Sequence, residues 1–381
     1  MKRTLIPYIQ KDLPDKIVLI TGPRQAGKTT LSRLLCEAYG YLNYDAMTDR
    51  VAIKKQQWDR RLSLVIFDEL HKMRFWKAWL KGVYDTEGMP PAIVVTGSAK
   101  LDTYKKVGDS LAGRFFQYRL HPLDVKEATQ MLGVSSEDSF ERLMTVGGFP
   151  EPFLKNEVRF YRRWQQTHLD IILKQDLIET GSVRDIIAIE TLILLLRSRV
   201  GSTISYASLA RDLERDQTTV KRWLQLLENM YVIFPVLPYS KRISKSLLKA
   251  PKYYFYDTAF LDGDNGSRLE NIVACALRKE LDFINDVAGV RGQLCFLRTR
   301  DGRELDFVVV QDSSPTHVIE VKWADTTISR SFGQFASFLP PTVQKIQLVK
   351  EIPRVFSTKE GVRCESVVSW LADLSLCDDL V

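Results

Sequence analysis

Residues 22 to 29 read Gly-Pro-Arg-Gln-Ala-Gly-Lys-Thr and directly follow the apolar run Ile17-Val18-Leu19-Ile20. A helical pattern spans Leu31 to Ala38, so the G-x-x-x-x-G-K-T motif lies between a predicted strand and a predicted helix, which is the context that a phosphate-binding loop requires. Glycines permit turns in which several backbone N–H groups converge on one phosphate, and the positive end of the helix dipole faces the same anion. A chance match in a glycine-containing turn is the alternative. The stretch therefore predicts a nucleotide-binding site.

Two side chains of this stretch are predicted to act on the nucleotide directly. Lys28 would reach the β- and γ-phosphates, and the Thr29 hydroxyl would bind Mg²⁺. The cofactors expected from the motif are therefore ATP and Mg²⁺. The residues predicted to hold the nucleotide are Gly22, Pro23, Arg24, Gln25, Ala26, Gly27, Lys28, Thr29 and Thr30.

Two further apolar runs end in polar residues that suit ATP hydrolysis. Residues 64–69 end in Asp68, which can hold Mg²⁺ through water, and Glu69, which can polarise the attacking water. Residues 92–98 end in Ser98, which is placed to contact the γ-phosphate or the lytic water, because ligands of open α/β sheets lie beyond the carboxyl ends of the strands. The alternatives are solvated acids that cap a strand and an ordinary turn serine.

In order and spacing these three motifs resemble the Walker A, Walker B and sensor 1 motifs of AAA-type ATPases of the additional-strand P-loop class. The resemblance implies a five-stranded parallel sheet of order 5-1-4-3-2. It also implies that Arg114 senses the γ-phosphate, either in cis or as a finger in a neighbouring subunit of a homo-oligomer; a plain surface arginine is the alternative. The predicted strands are Lys16–Thr21, Tyr41–Tyr44, Leu64–Asp68, Ala92–Gly97 and Phe116–Leu120.

A second group of charged residues lies near the other end of the chain. Asp306 stands at the start of one apolar run, and Glu320 and Lys322 lie on the next, where residues two apart face the same side of a strand. The two acids would bind Mg²⁺ through hard oxygen ligands, and Lys322 would orient an attacking hydroxide. Glu270, on an upstream helix, could add a carboxylate. The alternative is a binding domain in which Glu320 and Lys322 simply pair on a sheet face.

The order of elements here is similar to the core of restriction-endonuclease-like PD-(D/E)XK domains. By that resemblance Asp306, Glu320 and Lys322 match the signature positions and Glu270 the helical acid, while retained cleavage stays open. The predicted elements after the first helix are strands Gln293–Thr299, Leu305–Gln311 and Thr316–Trp323, helix Ile328–Leu339 and strand Lys345–Lys350.

The central part of the chain reads as helical. Patterns over 125–132, 139–144 and 160–179 have the place and character of the helical lid of an AAA core, and Gly147-Gly148-Phe149-Pro150 between them reads as a hinge or a loop. The apolar helix 186–200 carries charges and is too short to cross a membrane.

Two helices, 205–213 and 218–230, followed by an apolar strand-like run look like a winged helix-turn-helix, with the second helix offered to a DNA major groove. The basic segment from Tyr239 to Tyr256 would suit phosphate contact and, through Tyr239, Tyr253 and Tyr254, base stacking. A unit that only packs domains together and a solvated basic linker are the alternatives. The predicted DNA contacts are Thr218, Thr219, Lys221, Arg222, Lys241, Arg242 and Lys245.

Composition is compatible with this organisation. The 381 residues carry a net charge of +7, which favours an anionic partner such as DNA. Five cysteines without a C-x-x-C pair read as reduced thiols, and the amino terminus shows no secretion signal, so a cytoplasmic location without membrane association is expected.

About end to end, the chain resembles the prokaryotic family that joins an AAA-type ATPase to a winged helix and a nuclease-like domain of unknown function. The expected fold class is α/β, with boundaries of 1–121 for the ATPase core, 122–185 for the lid, 186–250 for the winged helix and 251–381 for the nuclease-like domain. The expected function is that of an ATP-hydrolysing, Mg²⁺-dependent DNA-binding protein, with DNA-processing nuclease activity as an open extension. The alternative is a nucleotide-switched regulatory or partner-recruiting ATPase whose nuclease-like domain does not cleave.

Overall fold

The computed structural model of the chain describes residues 1–89, 91–97, 111–176, 185–240, 250–299 and 302–377. The chain divides into two compact units. The first comprises residues 1–122 with 229–231, and the second comprises residues 123–228 with 232–381. The division of the second part into lid, winged helix and nuclease-like domain stays a prediction.

The first unit is built on a five-stranded, all-parallel sheet of order β2-β3-β4-β1-β5, which is the order that the resemblance to AAA-type ATPases implies. Its central strands read as continuous apolar runs because helices cover both faces of such a sheet, and β1 and β3 are buried along their whole length. The strands are β1 Ile17–Thr21, β2 Tyr39–Asn43, β3 Leu64–Asp68, β4 Ala92–Thr96 and β5 Phe115–Arg119.

The helices of this unit pack around an apolar core that includes Phe67, Trp76 and Val95. The predicted helix over 31–38 is wrong in its bounds: the helix begins at Lys28 and ends at Arg33. It ends early because Tyr39 already pairs with Leu64, so the chain must reach the sheet edge by that residue. The helices are α1 Ile6–Asp12, α2 Lys28–Arg33, α3 Met47–Lys54 and α4 Trp76–Glu87, with a 3₁₀ turn at Leu70–Lys72.

The second unit contains an eight-stranded mixed sheet of order β12-β13-β11-β10-β9-β8-β6-β7. Strand β9 pairs antiparallel with both β8 and β10, and β11 joins β10 in parallel. The strands are β6 Ile233–Pro238, β7 Lys252–Phe255, β8 Gly292–Arg298, β9 Glu304–Gln311, β10 Ser314–Lys322, β11 Gln344–Val349, β12 Phe356–Ser357 and β13 Val362–Ser366.

The longest helix of the second unit, α12, begins after the N-cap Asp264, whose side chain accepts a hydrogen bond from the Ser267 backbone N–H, and packs against this sheet. Among the described residues no helix is both long and apolar enough to cross a membrane. The helices are α5 Val125–Leu132, α6 Ser136–Thr145, α7 Pro150–Lys155, α8 Val158–Asp170, α9 Ile186–Arg197, α10 Tyr206–Asp212, α11 Gln217–Asn229, α12 Asn265–Ala288, α13 Ser331–Phe335 and α14 Val367–Ala372, with a π-helical turn at Ile171–Asp176 and a 3₁₀ turn at Ala336–Phe338.

The basic-aromatic segment departs from its predicted role. Strand β6 pairs antiparallel with β7 and parallel with β8, so both belong to the large sheet. Tyr253 and Tyr254 are only 4% and 0% exposed, and the prediction that they stack on bases is therefore wrong. They are buried because β7 packs against α12.

The Gly-Gly-Phe-Pro turn is a packed element of the second unit. All four of its residues are buried. Gly147 has φ +73°, and a Cβ at this position would lie 2.4 Å from Oδ1 of Asp257. The positive φ and this close approach favour glycine at the position. The turn is a buried loop, and its role as a hinge stays a prediction.

Candidate functional site

The loop between β1 and α2 adopts the conformation that a phosphate cradle requires. Gly22 has φ +138°, and a Cβ there would lie 2.2 Å from the Leu120 carbonyl oxygen. Gly27 has φ +95° and is the N-cap of α2. The side chain of Lys28 is largely buried, and its ammonium donates to the carbonyl oxygens of Gly22 at 3.0 Å and Pro23 at 2.7 Å. The ammonium is therefore held within the loop itself.

Asp68 is the centre of a hydrogen-bond network at the carboxyl end of β3. Its Oδ2 accepts from the Thr29 hydroxyl at 2.9 Å and from the Tyr41 hydroxyl at 2.6 Å. Its Oδ1 accepts from the Thr96 hydroxyl at 2.5 Å. The predicted magnesium ligands Thr29 and Asp68, which are 39 positions apart in sequence, thus meet at one point.

The oxygens of Thr29 and Asp68 fit a magnesium ion. Mg²⁺ prefers hard oxygen ligands about 2.0–2.1 Å away in an octahedral arrangement. The Thr29 hydroxyl and the Asp68 carboxylate are such oxygens, and a hydrogen bond between them holds both at one point. These two side chains would hold the ion beside the phosphate loop.

Tyr41 and Thr96 were not predicted as site residues. Both lie on strands next to β3, and Thr96 ends β4. Burial and the bond to Asp68 raise the pKa of Tyr41 to about 12, so the hydroxyl keeps its proton and donates at neutral pH. The sequence signal for Thr96 is a polar residue at the end of a buried strand, but the same signal also fits Ser98, which is the residue predicted here. Ser98 lies outside the described residues.

Glu69 has the features of a group that activates water. It adopts a left-handed backbone conformation, φ +55°, which is uncommon for a residue other than glycine. Its Oε2 is buried and makes no hydrogen bond within the described part of the chain, although His71 Nε2 lies 3.5 Å away and Lys72 Nζ lies 3.6 Å away. Burial raises the pKa of Glu69 despite the opposing charge of Lys72. A higher pKa makes the carboxylate a better base.

Arg114 does not share this site. It directly precedes β5, and its carbonyl accepts from Ile17 at the start of β1, whereas the phosphate loop follows the end of β1. Its guanidinium makes two hydrogen bonds to Asp85, at 2.7 and 3.1 Å. Arg114 lies at the amino-terminal ends of β1 and β5, whereas the phosphate loop lies at the carboxyl end of β1. The prediction that Arg114 senses the γ-phosphate in cis is therefore wrong. A finger supplied to a neighbouring copy stays a prediction.

Mixing two inactive variants tests the remaining role of Arg114. If Arg114 acts in trans, Arg114→Ala protein should bind ATP but hydrolyse it slowly, and adding Lys28→Ala protein should restore part of the activity. Restoration is expected because a mixed interface combines one intact phosphate loop with one intact arginine. Steady-state ATPase rates are measured at several protein concentrations. Asp85→Ala, which removes the carboxylate that binds Arg114, is the control. Full activity of Arg114→Ala alone would exclude the finger.

The second unit brings the four predicted nuclease-like residues into one cluster. Asp306 on β9 and Glu320 on β10 lie directly beside Phe307 and Ile319, which pair with each other, and the Val321 N–H donates to Asp306 Oδ2 at 2.9 Å. Lys322 Nζ lies 2.8 Å from Glu320 Oε1.

Lys252, the first residue of β7, stands in this cluster and was not predicted there. Its ammonium lies 3.0 Å from Glu270 Oε1 and 3.9 Å from Asp306 Oδ1, and it pairs directly with Glu304. The Tyr254 hydroxyl also donates to Glu270 Oε1, at 2.5 Å. The sequence signal was ambiguous, because Lys252 lies at the end of a basic segment that reads as solvent-exposed.

Burial controls the electrostatics of this cluster. Burial and the neighbouring Asp306 raise the pKa of both Glu270 and Glu320 to about 7, against the opposing charges of Lys252 and Lys322. Burial disfavours the charged form of Lys252, but Glu270, Asp306 and Glu304 outweigh it, so the pKa of Lys252 is raised. In the parts of the chain that the structure describes, no group of three or more His, Cys, Asp or Glu residues is arranged to hold a metal ion.

Helix α11 carries the described part of the predicted DNA surface. Val220, Trp223, Leu224 and Leu227 are buried, whereas Thr218, Lys221 and Arg222 are exposed and Thr219 is half-buried. Asp216 caps the helix, because its carboxylate accepts hydrogen bonds from the Thr219 N–H at 2.8 Å and from the Thr219 hydroxyl at 2.6 Å. The predicted contacts Lys241, Arg242 and Lys245 lie outside the described residues.

Relatives of this chain share most of its length. The uncharacterized proteins Rv2008c of Mycobacterium tuberculosis and Mb2031c of Mycobacterium bovis are each 30% identical over 326 residues, which cover 83% of this chain and 72% of theirs. The chain belongs to their family. Another uncharacterized protein, MJ1544 of Methanocaldococcus jannaschii, is 24% identical over 78% of this chain and 73% of its own.

Three family models match separate parts of the chain. Residues 14–129 match an AAA domain, so the first unit is an AAA-type ATPase domain. Residues 137–263 and 265–364 match two domains of unknown function, DUF8612 and DUF4143. Solved RuvB mutants of Thermotoga maritima are 17% identical and cover 60% of this chain and 85% of theirs, with a TM-score of 0.31. That score is too low for a conclusion about shared function.

Proposed function

We propose that this protein is a Mg²⁺-dependent ATPase that binds DNA through its second unit without cutting it. The network in which Thr29 and Asp68 meet beside the Lys28 loop supports the hydrolytic part of this proposal most strongly. ATP hydrolysis needs a phosphate cradle, ligands for Mg²⁺ and a base. In this proposal the Lys28 loop, the Thr29–Asp68 pair and Glu69 supply them within one domain.

Each side chain of the ATP site has a distinct task in this proposal. The loop N–H groups and Lys28 hold the β- and γ-phosphates and stabilise the charge that develops on them. Bound Mg²⁺, held by Thr29 and Asp68, would neutralise part of that charge. Glu69 orients the attacking water through its buried Oε2 and accepts its proton. Tyr41 and Thr96 hold Asp68 in position.

The DNA-binding part of the proposal is supported by the exposed basic face of α11. Lys221 and Arg222 lie on that face, opposite the buried Val220 and Trp223, and the chain as a whole is cationic. A helix with one apolar face in the core and one basic face in solvent is suited to a DNA groove. In this proposal the ATP state regulates the affinity for DNA, and a cytoplasmic location is expected. Recruitment of a protein partner instead is the competing function.

The absence of cleavage is proposed from the cations already present in the nuclease-like cluster. Glu320 pairs with Lys322, and Glu270 and Glu304 pair with Lys252. A metal-dependent nuclease needs carboxylate oxygens that converge on its ion. Glu320 Oε2 is buried without a hydrogen-bond partner within the described residues, but the Lys252 ammonium lies 3.0 Å from Glu270 and 3.9 Å from Asp306, where such an ion would bind. The competing nuclease function predicts Mg²⁺- or Mn²⁺-dependent cutting that is lost in Asp306→Ala.

A charge-matched pair of variants tests DNA binding. Lys221→Ala/Arg222→Ala should weaken binding to all sequences and reduce the slope of log K against log salt by about 2, because two phosphate contacts are lost. The control, Arg354→Ala/Lys359→Ala, removes the same charge from another exposed site of the second unit and should bind nearly as wild type does. Fluorescence anisotropy on single-stranded, duplex and branched DNA, with and without ATP, measures both.

Two results would contradict this proposal. Equal affinities of the two double variants would remove α11 from the interface, and no binding of wild type to any DNA would favour the partner-recruiting ATPase. Gel analysis of the same DNA panel after incubation with Mn²⁺ examines cleavage separately. Intact DNA is expected, and cutting that Asp306→Ala abolishes would establish the nuclease instead.

A further inference from the structure

The Lys252 ammonium is one of the most deeply buried charges among the described residues. Its side chain is 1% exposed, and its Nζ lies among Glu270 of α12 and Glu304 and Asp306 of β9. A charge removed from water in this way is strongly unfavourable unless several opposite charges surround it. The three carboxylates supply them, and the ring of Phe296, with its centroid 5.4 Å from Nζ, closes another side.

Two further cations contact the carboxylates of this cluster. Arg298 lies 3.1 Å from the second carboxylate oxygen of Glu304, and Lys322 lies 2.8 Å from Glu320. Three cations of this chain, Lys252, Arg298 and Lys322, therefore lie among the four carboxylates. The cluster does not depend on an added ion to balance most of its charge.

We propose that Lys252 is a built-in counter-cation that takes the place of a divalent metal ion among these carboxylates. The wild-type cluster then has no site for Mg²⁺ or Mn²⁺, and replacing Lys252 with an uncharged residue creates one. This inference deepens the proposed function, because it explains why the second unit binds DNA without cutting it.

The chemical consequences follow from the difference between an ammonium and a metal ion. An ammonium donates hydrogen bonds at about 2.7–3.0 Å and keeps carboxylates in position, as a structural ion would. It does not lower the pKa of a bound water to generate hydroxide, which is what a nuclease metal ion does. Lys252 thus joins β7, α12 and β9 while leaving the cluster without a nucleophile.

Manganese titration of the full-length protein without nucleotide tests this inference. Wild type should show no Mn²⁺ binding that depends on Asp306, by calorimetry or by the loss of the free-ion electron paramagnetic resonance signal. Lys252→Met should bind one additional Mn²⁺, with a Kd at least about tenfold below the weakest binding that the assay detects, because affinity rises with the number of free carboxylates. Lys252→Met/Asp306→Asn should lose the added site. Lys126→Met, which frees the single partner Glu280 in the same unit, is the control and should gain none.

Thermal unfolding gives a second readout if Lys252→Met is unstable. Removing the ammonium leaves buried carboxylates unpaired, so the midpoint should fall, and Mn²⁺ should restore it in this variant but not in Lys126→Met. Mn²⁺ binding by wild type that Asp306→Asn abolishes would overturn the inference, and so would folded Lys252→Met with no added site. The titration of wild type and Asp306→Asn can therefore overturn the inference even if Lys252→Met does not fold. ATPase and DNA-binding assays test the proposed function independently.

Discussion

Replacing Glu69 with Gln is expected to preserve ATP binding and to lower the rate of hydrolysis by roughly 100- to 10 000-fold, the usual contribution of a positioned base. Glutamine has the same shape but cannot accept the proton of the attacking water. The carboxylate lies directly after Asp68, and its Oε2 is buried without a hydrogen-bond partner within the described residues. The variant removes this acceptor and leaves the Lys28 loop and the Thr29–Asp68 contact intact.

Equilibrium binding of a fluorescent ATP analogue and steady-state phosphate release separate the two effects. The matched control is Glu87→Gln, the same substitution at the end of α4, where Glu87 pairs with Arg60. It should hydrolyse ATP as wild type does. A normal rate in Glu69→Gln would show that another group activates the water. If Glu69→Gln loses ATP binding as well, Glu69 has a role in folding the loop.

Replacing Lys28 with Ala is expected to abolish tight ATP binding. Loss of a buried charge that contacts a ligand phosphate costs about 2–5 kcal/mol, which is roughly 30- to 5000-fold in Kd. In the structure the ammonium lies against the carbonyl oxygens of Gly22 and Pro23, at the centre of the loop. These contacts keep the ammonium within the loop that is expected to hold the phosphates.

Lys54→Ala, on the exposed side of α3, is the control for the loss of one lysine and should bind ATP normally. Circular dichroism and thermal unfolding without nucleotide check that Lys28→Ala remains folded. ATP should raise the unfolding midpoint of wild type and of Lys54→Ala but not that of Lys28→Ala. Undiminished affinity in Lys28→Ala would contradict the assignment of the phosphate loop.

The first unit could be predicted in detail because its signals are local. Each strand is a short apolar run, and the phosphate loop is one continuous stretch whose glycines at 22 and 27 indicate left-handed backbone. Parallel pairing then places the ends of β1, β3 and β4 at the same edge. Thr29 and Asp68 could thus be predicted to meet. The position of Arg114 could not, because its role came from a resemblance in sequence position and its distance from the loop depends on strand direction.

The second unit was predicted less completely because its cluster is assembled from distant segments. The D…E-x-K pattern indicated Asp306, Glu320 and Lys322, and the structure brings them together. No pattern indicated Lys252, which precedes Asp306 by 54 positions and enters the cluster only because β7 joins the same sheet through β6. A lysine in a basic segment has the same sequence appearance whether it is solvated or buried.

The order of the strands was implied by the resemblance to AAA-type ATPases, whereas the sequence by itself determined the nucleotide-binding loop and the acids expected to complete the ATP site. These features are set by residue types at fixed local spacing and by the geometry of parallel sheets. Only the tertiary structure decided that Tyr41 and Thr96 hold Asp68, that Arg114 lies at the opposite edge of the sheet and that Lys252 lies among the carboxylates. These features depend on which segments the fold brings together. A buried charge such as Lys252 needs opposite charges around it, and here they come from segments that are distant in sequence.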